Sequence, residues 1–188
     1  MINPTPATLF ASLPSLIADR LSAVAPQLRE CAVHESRLTL EEIMADRLKT
    51  PSIRVVLLGS RPKAPLAGSY QRHELAFAAY VITKDQKGLA RDEACLTLSQ
   101  AVMLDVQVAK WDDEHVGAAE NVRMESLSDS ATRKKGIALR AVLWTLPVEL
   151  TAGESAACPL PQEVYLGFDP EIGAAHEDDY VQISGEPE

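Results

Sequence analysis

One stretch constrains this chain more than any other: GIALRAVLWTLPVEL, from Gly136 to Leu150, in which only Arg140 and Glu149 carry charge. Extended, it rises ~3.3 Å per residue and spans roughly 50 Å, long for a strand. On alternate positions Ile137, Leu139, Ala141 and Leu143 fall on one face, and Arg140, Val142, Trp144 and Leu146 on the other. Neither face is cleanly polar, so the pattern predicts a strand covered on both sides over part of its length. Pro147 lacks a backbone donor, which places that end at a sheet edge or beyond its last pairing. Leu and Ala are plentiful and β-branched residues few, so a buried helix competes. Gly136 and Pro147 bracket the run, and two further apolar runs need a pairing partner, which favours the strand.

A chain of 188 residues has room for one real core. Nine of its 27 Asp and Glu, and none of its 18 Lys and Arg, fall in residues 151–188. Residues 1–150 are therefore neutral, and the whole net charge of −9 sits in the last stretch. That asymmetry predicts a packed body, 1–150, and an acidic C-terminal arm, 151–188. No run approaches the ~18 apolar residues of a membrane span. The first residues lack the basic region of a secretion signal, so the cytoplasm is the expected compartment. Cys31, Cys95 and Cys158 are odd in number and far apart, which argues for reduced core residues over a disulfide framework.

In chain order, Pro6 to Ala25 carries an apolar stripe at helical spacing (Leu9, Leu13, Leu16, Ile17, Leu21, Val24), with a restart expected at Pro14 after Ser12 as N-cap. Gln27 to Val33 reads as a short strand. Thr39 and Glu42 fit a capping box for a second helix through Leu48. Ser52 to Leu58 alternates as a strand. Residues 60–72 hold two prolines, Gly68 and the basic Arg61, Lys63 and Arg72; their composition predicts a loop without a core of its own. Glu74 to Thr83 is a strand and Ala90 to Trp111 the main helix, in which Ala94, Leu96 or Leu98, Ala101, Val102, Leu104 or Asp105, Val108 and Ala109 follow the helical period. Asn121 to Leu127 is a half-exposed strand that makes a hairpin with the opening run across a polar turn, 129–135. The order predicts an α+β domain: an antiparallel or mixed sheet with helices mainly on one face. In the arm, Glu163–Phe168 and Tyr180–Ile183 hold apolar clusters sufficient to dock, not to fold alone.

Candidate chemistry is sparse. Asp112, Asp113, Glu114 and His115 form the one compact set of metal-type ligands, and a metal-dependent hydrolase would centre there. Four adjacent side chains point in different directions, however, and the plainer reading is a solvated helix end. His176 to Asp179 has the same character. Cys95 sits at an apolar helical position, and His34 and His73 are single histidines near strand ends. There is no phosphate-binding glycine loop. The residues give no positive sign of an enzyme, a cofactor or a metal. Arg133, Lys134 and Lys135, together with Arg61, Lys63 and Arg72, make a candidate basic rim. Such a rim could surround a DNA passage, touching phosphate and not sequence. The plainer reading is solvated turns, because the body is neutral.

The opening helix around LFASLPSLIADRL, the strand ELAFAAYVITKD, the helix RDEACLTLSQAVMLDV and the closing GIALRAVLWTLPVEL with its distal arm together resemble the Mu-like phage family of tail terminator (tail completion) proteins. The resemblance covers most of residues 6–150. It implies a structural protein of the virion tail and neck: a homohexameric ring that caps the tail tube protein, halts tube growth and offers a surface to the head-completion (connector) protein. The basic segments 60–72 and 129–135 would then face the tube or lumen, and the arm would serve assembly. Another neck or tail-tube protein, and an uncommitted cytosolic binding module, are the alternatives.

Overall fold

The computed structural model describes residues 9–36, 38, 39, 42, 43, 49–65, 70–85, 90–111, 115–151, 164–166 and 181–184. The chain divides into two compact units, Met1–Thr151 and Ala152–Glu188. In the first, α1 (Leu9–Val24) precedes β1 (Glu30–Val33), β2 (Ser52–Pro65), β3 (Tyr70–Lys84), α2 (Arg91–Val108), β4 (Glu120–Ser126), α3 (Ser130–Lys134) and β5 (Ile137–Thr151). In the second, β6 (Val164–Leu166) pairs antiparallel with β7 (Val181–Ser184). The two apolar clusters of the arm thus pair with each other.

The sheet runs β1-β2-β3-β5-β4. Only β1 is parallel to its neighbour; all other pairings are antiparallel. This is a mixed sheet in an α+β fold. β3 and β5 pair without interruption from Lys84–Ile137 to Tyr70–Thr151. The apolar run is therefore a central strand, and its alternation sorts the core into two layers. Val142, Trp144, Leu146 and Val148 join Phe77, Val81, Ile53 and Val55 beneath α1 and α2. Ile137, Leu139 and Ala141 join Val56, Ala78, Tyr80 and Ile82 on the opposite face, where Ile43 and Leu38 cover them. The Phe77 and Trp144 rings stack at 5.7 Å between centroids and anchor the helix side.

Residues 60–65 and 70–72 are not loop but the far ends of β2 and β3, with Arg61 opposite Glu74 and Pro62 opposite His73. The backbone explains how a proline fits there. His34 N–H donates to Val55 O, so Val55 turns its polar groups toward β1, away from β3. Carried along the unbroken β3 ladder, that phase makes Pro62–His73 a pair without mutual backbone hydrogen bonds, so β3 never needs the donor that Pro62 lacks. Pro147 follows the same rule. Gly117 N–H donates to Pro147 O on the β4 side, so pairing with β3 continues through Pro147 to Thr151. Regular pairing with β4 has already ended at Glu120–Thr145, beyond which one bridge joins Val116 and Val148.

Helix details differ from expectation in three places. Pro14 lies inside a continuous α1, buried on its core face, and Ser12 Oγ donates to Leu9 O instead of capping a new start. The main helix buries Cys95, Leu98, Ser99, Val102 and Val106, while Leu96, Leu104 and Val108 are exposed. The turn 129–135 contains α3, whose Asp129 accepts from Thr132 N at 2.8 Å while Thr132 Oγ1 accepts from Asp129 N at 2.9 Å. The Thr39–Glu42 capping box forms as its residue types dictate, with Thr39 N donating to Glu42 Oε2 at 2.8 Å. Of the helix expected there, Glu42 and Ile43 are helical and most of the rest lies outside the described residues. No helix among the described residues is long and apolar enough to cross a membrane.

Candidate interaction surface on the open sheet face

Side chains opposite the α1–α2 layer change character along the strands. Near the start of β5 they are apolar and covered; toward its end and on the strands beside it polar and charged side chains enter, many of them only half-buried. A groove of about 430 Å³ crosses β2, β3, β5 and β4, lined by Leu58, Arg61, Glu74, Asn121, Arg123 and Thr145 among others. A smaller hollow of about 240 Å³ follows, with Lys63, Arg72, His115, Glu120 and Glu149. The register produces this directly, since Arg61 lies opposite Glu74 and Arg72 opposite Glu149.

Most of the charges are matched. Lys63 Nζ lies 3.1 Å from both Glu74 and Glu120 carboxylates, and the hydrogen bonds to Glu120 and then Glu74 raise its ammonium above the usual lysine range. Arg72 pairs with Glu149, and Arg123 with Glu125 at 3.0 Å. Among the described residues no carboxylate pairs with Arg61. Asn121, at the bulge that opens β4 with φ of 55°, donates from Nδ2 to Thr145 Oγ1.

The structure thus brings Arg61, Lys63 and Arg72 together but not with Arg133, Lys134 and Lys135. The latter lie on α3 and its C-cap, just before Ile137. Arg72 pairs opposite Glu149 at the other end of β5, roughly 40 Å away at ~3.3 Å per residue. The six residues do not make one basic rim, and the three that cluster are balanced by carboxylates the sequence reading had left aside. Glu74, Glu120 and Glu149 were identifiable only once strand register set them opposite or beside the bases.

The candidate nucleophiles have core or structural roles. Cys95 is fully buried, and its Sγ donates to Val81 O at 3.4 Å. Cys31 is half-buried, and burial pushes its thiol up to about 11. His73 Nδ1 lies 3.0 Å from Ser60 Oγ with its ring edge-on to Phe10 at 6.2 Å, a satisfied histidine beside α1. His34 is tied to Ser36 O through Nδ1 at 2.8 Å. Asp112, Asp113, Glu114, Cys158 and His176 to Asp179 lie outside the described residues, and His115 contributes its carbonyl to Glu149 N. Among the described residues no group of three or more His, Cys, Asp or Glu could hold a metal. The groove and the hollow are half-open and lined by largely paired charges, unlike the mostly apolar, enclosed lining of a small-ligand pocket. No protein-family model and no curated protein matches this chain.

Proposed function

We propose that this chain is a structural assembly subunit that acts as a phage tail terminator. In this reading, copies form a ring on the last ring of the tail tube, stop its growth and present a joining surface to the head-completion protein. The resemblance of the opening helix, central strands and main helix suggests the family. The observation that carries the reading in the structure is the open half of the sheet face, broad, exposed and charge-balanced, in a body whose covered half is a conventional core. A surface of this kind repeats its contact from copy to copy, and a ring closes when the rotation between copies closes. Matched charges there favour register between protein surfaces over non-specific grip on phosphate.

The test is loss of the gene in the particle-forming strain, viewed by negative stain. A terminator's loss gives overlong tubes that carry no heads. Loss of a tube protein gives no tubes, and loss of a head-completion protein gives normal-length tails beside separate filled heads. Tails of normal length joined to heads would end the proposal. Complementation with an Arg61→Glu chain then asks whether the open face is the contact. A deletion of 61–71 is unsuitable, because it would remove paired β2 and β3 residues. Truncation after Thr151 preserves all of β5 and tests the acidic arm alone.

A further inference from the structure

Among the described residues the two edges of the sheet carry no further strand, and they are not alike. β1, at one edge, has four residues. Beyond Val55 the outer side of β2 has no described partner; bulges between Leu57 and Gly59 and between Pro62 and Pro65 disrupt it, and Pro62 supplies no donor. Short strands, bulges and prolines all discourage another strand from adding. β4, at the other edge, runs seven residues from Glu120 to Ser126 without a proline, and its single irregularity falls between Glu120 and Arg123.

Which groups β4 leaves free follows from the ladder. Gly117 N–H donates to Pro147 O, so odd-numbered residues of β5 turn their backbone toward β4. Arg123–Leu143 and Glu125–Ala141 are therefore the hydrogen-bonded pairs, and Met124 turns its N–H and C=O outward. Arg123 and Glu125 share the open face and are exposed by 58% and 48%.

We infer that β4 is a self-association edge, on which the β4 of a second copy adds antiparallel about a two-fold axis through Met124. The charge pattern selects this register. Centred on Met124, Arg123 lies opposite Glu125 of the second copy and Glu125 opposite its Arg123. Centred on Arg123 or on Glu125, like charges would lie directly opposite, which is destabilising. The Met124 register also places both charge pairs at the closely spaced positions that exchange no backbone bonds with the new strand. Reciprocal backbone bonds form at Met124 and between Val122 and Ser126. Each guanidinium then sits between its own Glu125 and that of the second copy, a network of alternating sign and not an isolated surface pair. The contact is isologous, so it closes at two copies. It goes beyond the ring reading, which needs a different, head-to-tail contact.

Two measurements test it on the full chain. A Met124→Cys chain, mildly oxidised, should form a disulfide joining residue 124 of two copies, identified by mass spectrometry of the non-reduced peptide. Only a two-fold axis near that residue brings it against itself, at a Cα separation of about 5.5 Å. Association of the 20.4 kDa chain, followed by sedimentation, should weaken about tenfold or more in Arg123→Glu or Glu125→Arg and recover in the doubly reversed chain. Absence of the 124–124 linkage, or a double reversal no better than either single change, overturns the inference. Either result stands whether tails of the deletion strain are overlong or normal.

Discussion

Trp144 and Leu143 are chain neighbours with opposite fates. The first is 1% exposed in the layer under α1 and α2; the second is half-buried beside the groove of the open face. The two faces of one sheet therefore differ in what holds them. The helix side is a continuous apolar core from Leu9 and Leu13 through Phe77 to Val148. The other side is core for half its length and paired charge for the rest. A sheet face can remain uncovered where its side chains satisfy one another laterally, Lys63 with Glu74 and Glu120, Arg72 with Glu149. Such pairs add little stability in water, so the open half is available for contact without being needed for folding.

The sharpest way to break that contrast is to truncate both neighbours. Trp144→Ala should cost about 3–5 kcal/mol by denaturant unfolding, because it removes the Phe77 stack and leaves a cavity. Leu143→Ala should cost about 1 kcal/mol, since only part of its surface leaves water on folding. Similar costs for the two would show that the open face is covered in solution. Between these lies Gly117→Ala. A Cβ there would meet Pro147 Cγ at 2.7 Å, where the backbone crosses the end of β5, and the strain should cost about 1–3 kcal/mol. Smallest of all, Arg61→Ala should change stability by no more than about 0.5 kcal/mol and, under the function proposed above, impair tail capping, which separates contact from folding.

The titrating groups give a further check. Hydrogen bonds from Thr132 hold the Asp129 carboxyl below the usual carboxylate range. A depressed folded value means the α3 cap contributes fully above the unfolded carboxylate pKa and is lost as pH falls through the folded one. Wild type should therefore lose an increment of stability on acidification that Asp129→Ala lacks. Cys31 shifts the other way, to about 11, so its contribution is present below the ordinary thiol range and fades as pH rises toward that value. In a Cys158→Ser chain at pH 8, alkylation of Cys31 should be slow until the chain is unfolded.

Much of this was legible in the residues. Alternation from Ile137 to Leu146 assigned each side chain to the face it occupies, because a strand repeats every second residue whatever surrounds it. The Thr39–Glu42 box was legible because its hydrogen bonds are local. The main helix was found but its rotation was not. Leu96, Leu104 and Val108 are as apolar as Leu98, Val102 and Val106, and only packing against the sheet chose the second set. The segment 60–72 read as loop because prolines and a glycine are loop residues by composition. Whether a strand tolerates a proline depends on which way its missing donor would point.

The sequence by itself determined a neutral sheet-and-helix body with an acidic arm, since residue type and spacing act locally and charge simply adds along the chain. Tertiary structure alone decided the mates of each charge: Lys63 and Arg72 meet carboxylates from distant strands, Arg61 joins them with no paired carboxylate among the described residues, and all three lie a sheet's length from Arg133, Lys134 and Lys135. The reason is register, which links residues far apart in sequence through backbone hydrogen bonds that carry no trace of the side chains they bring together.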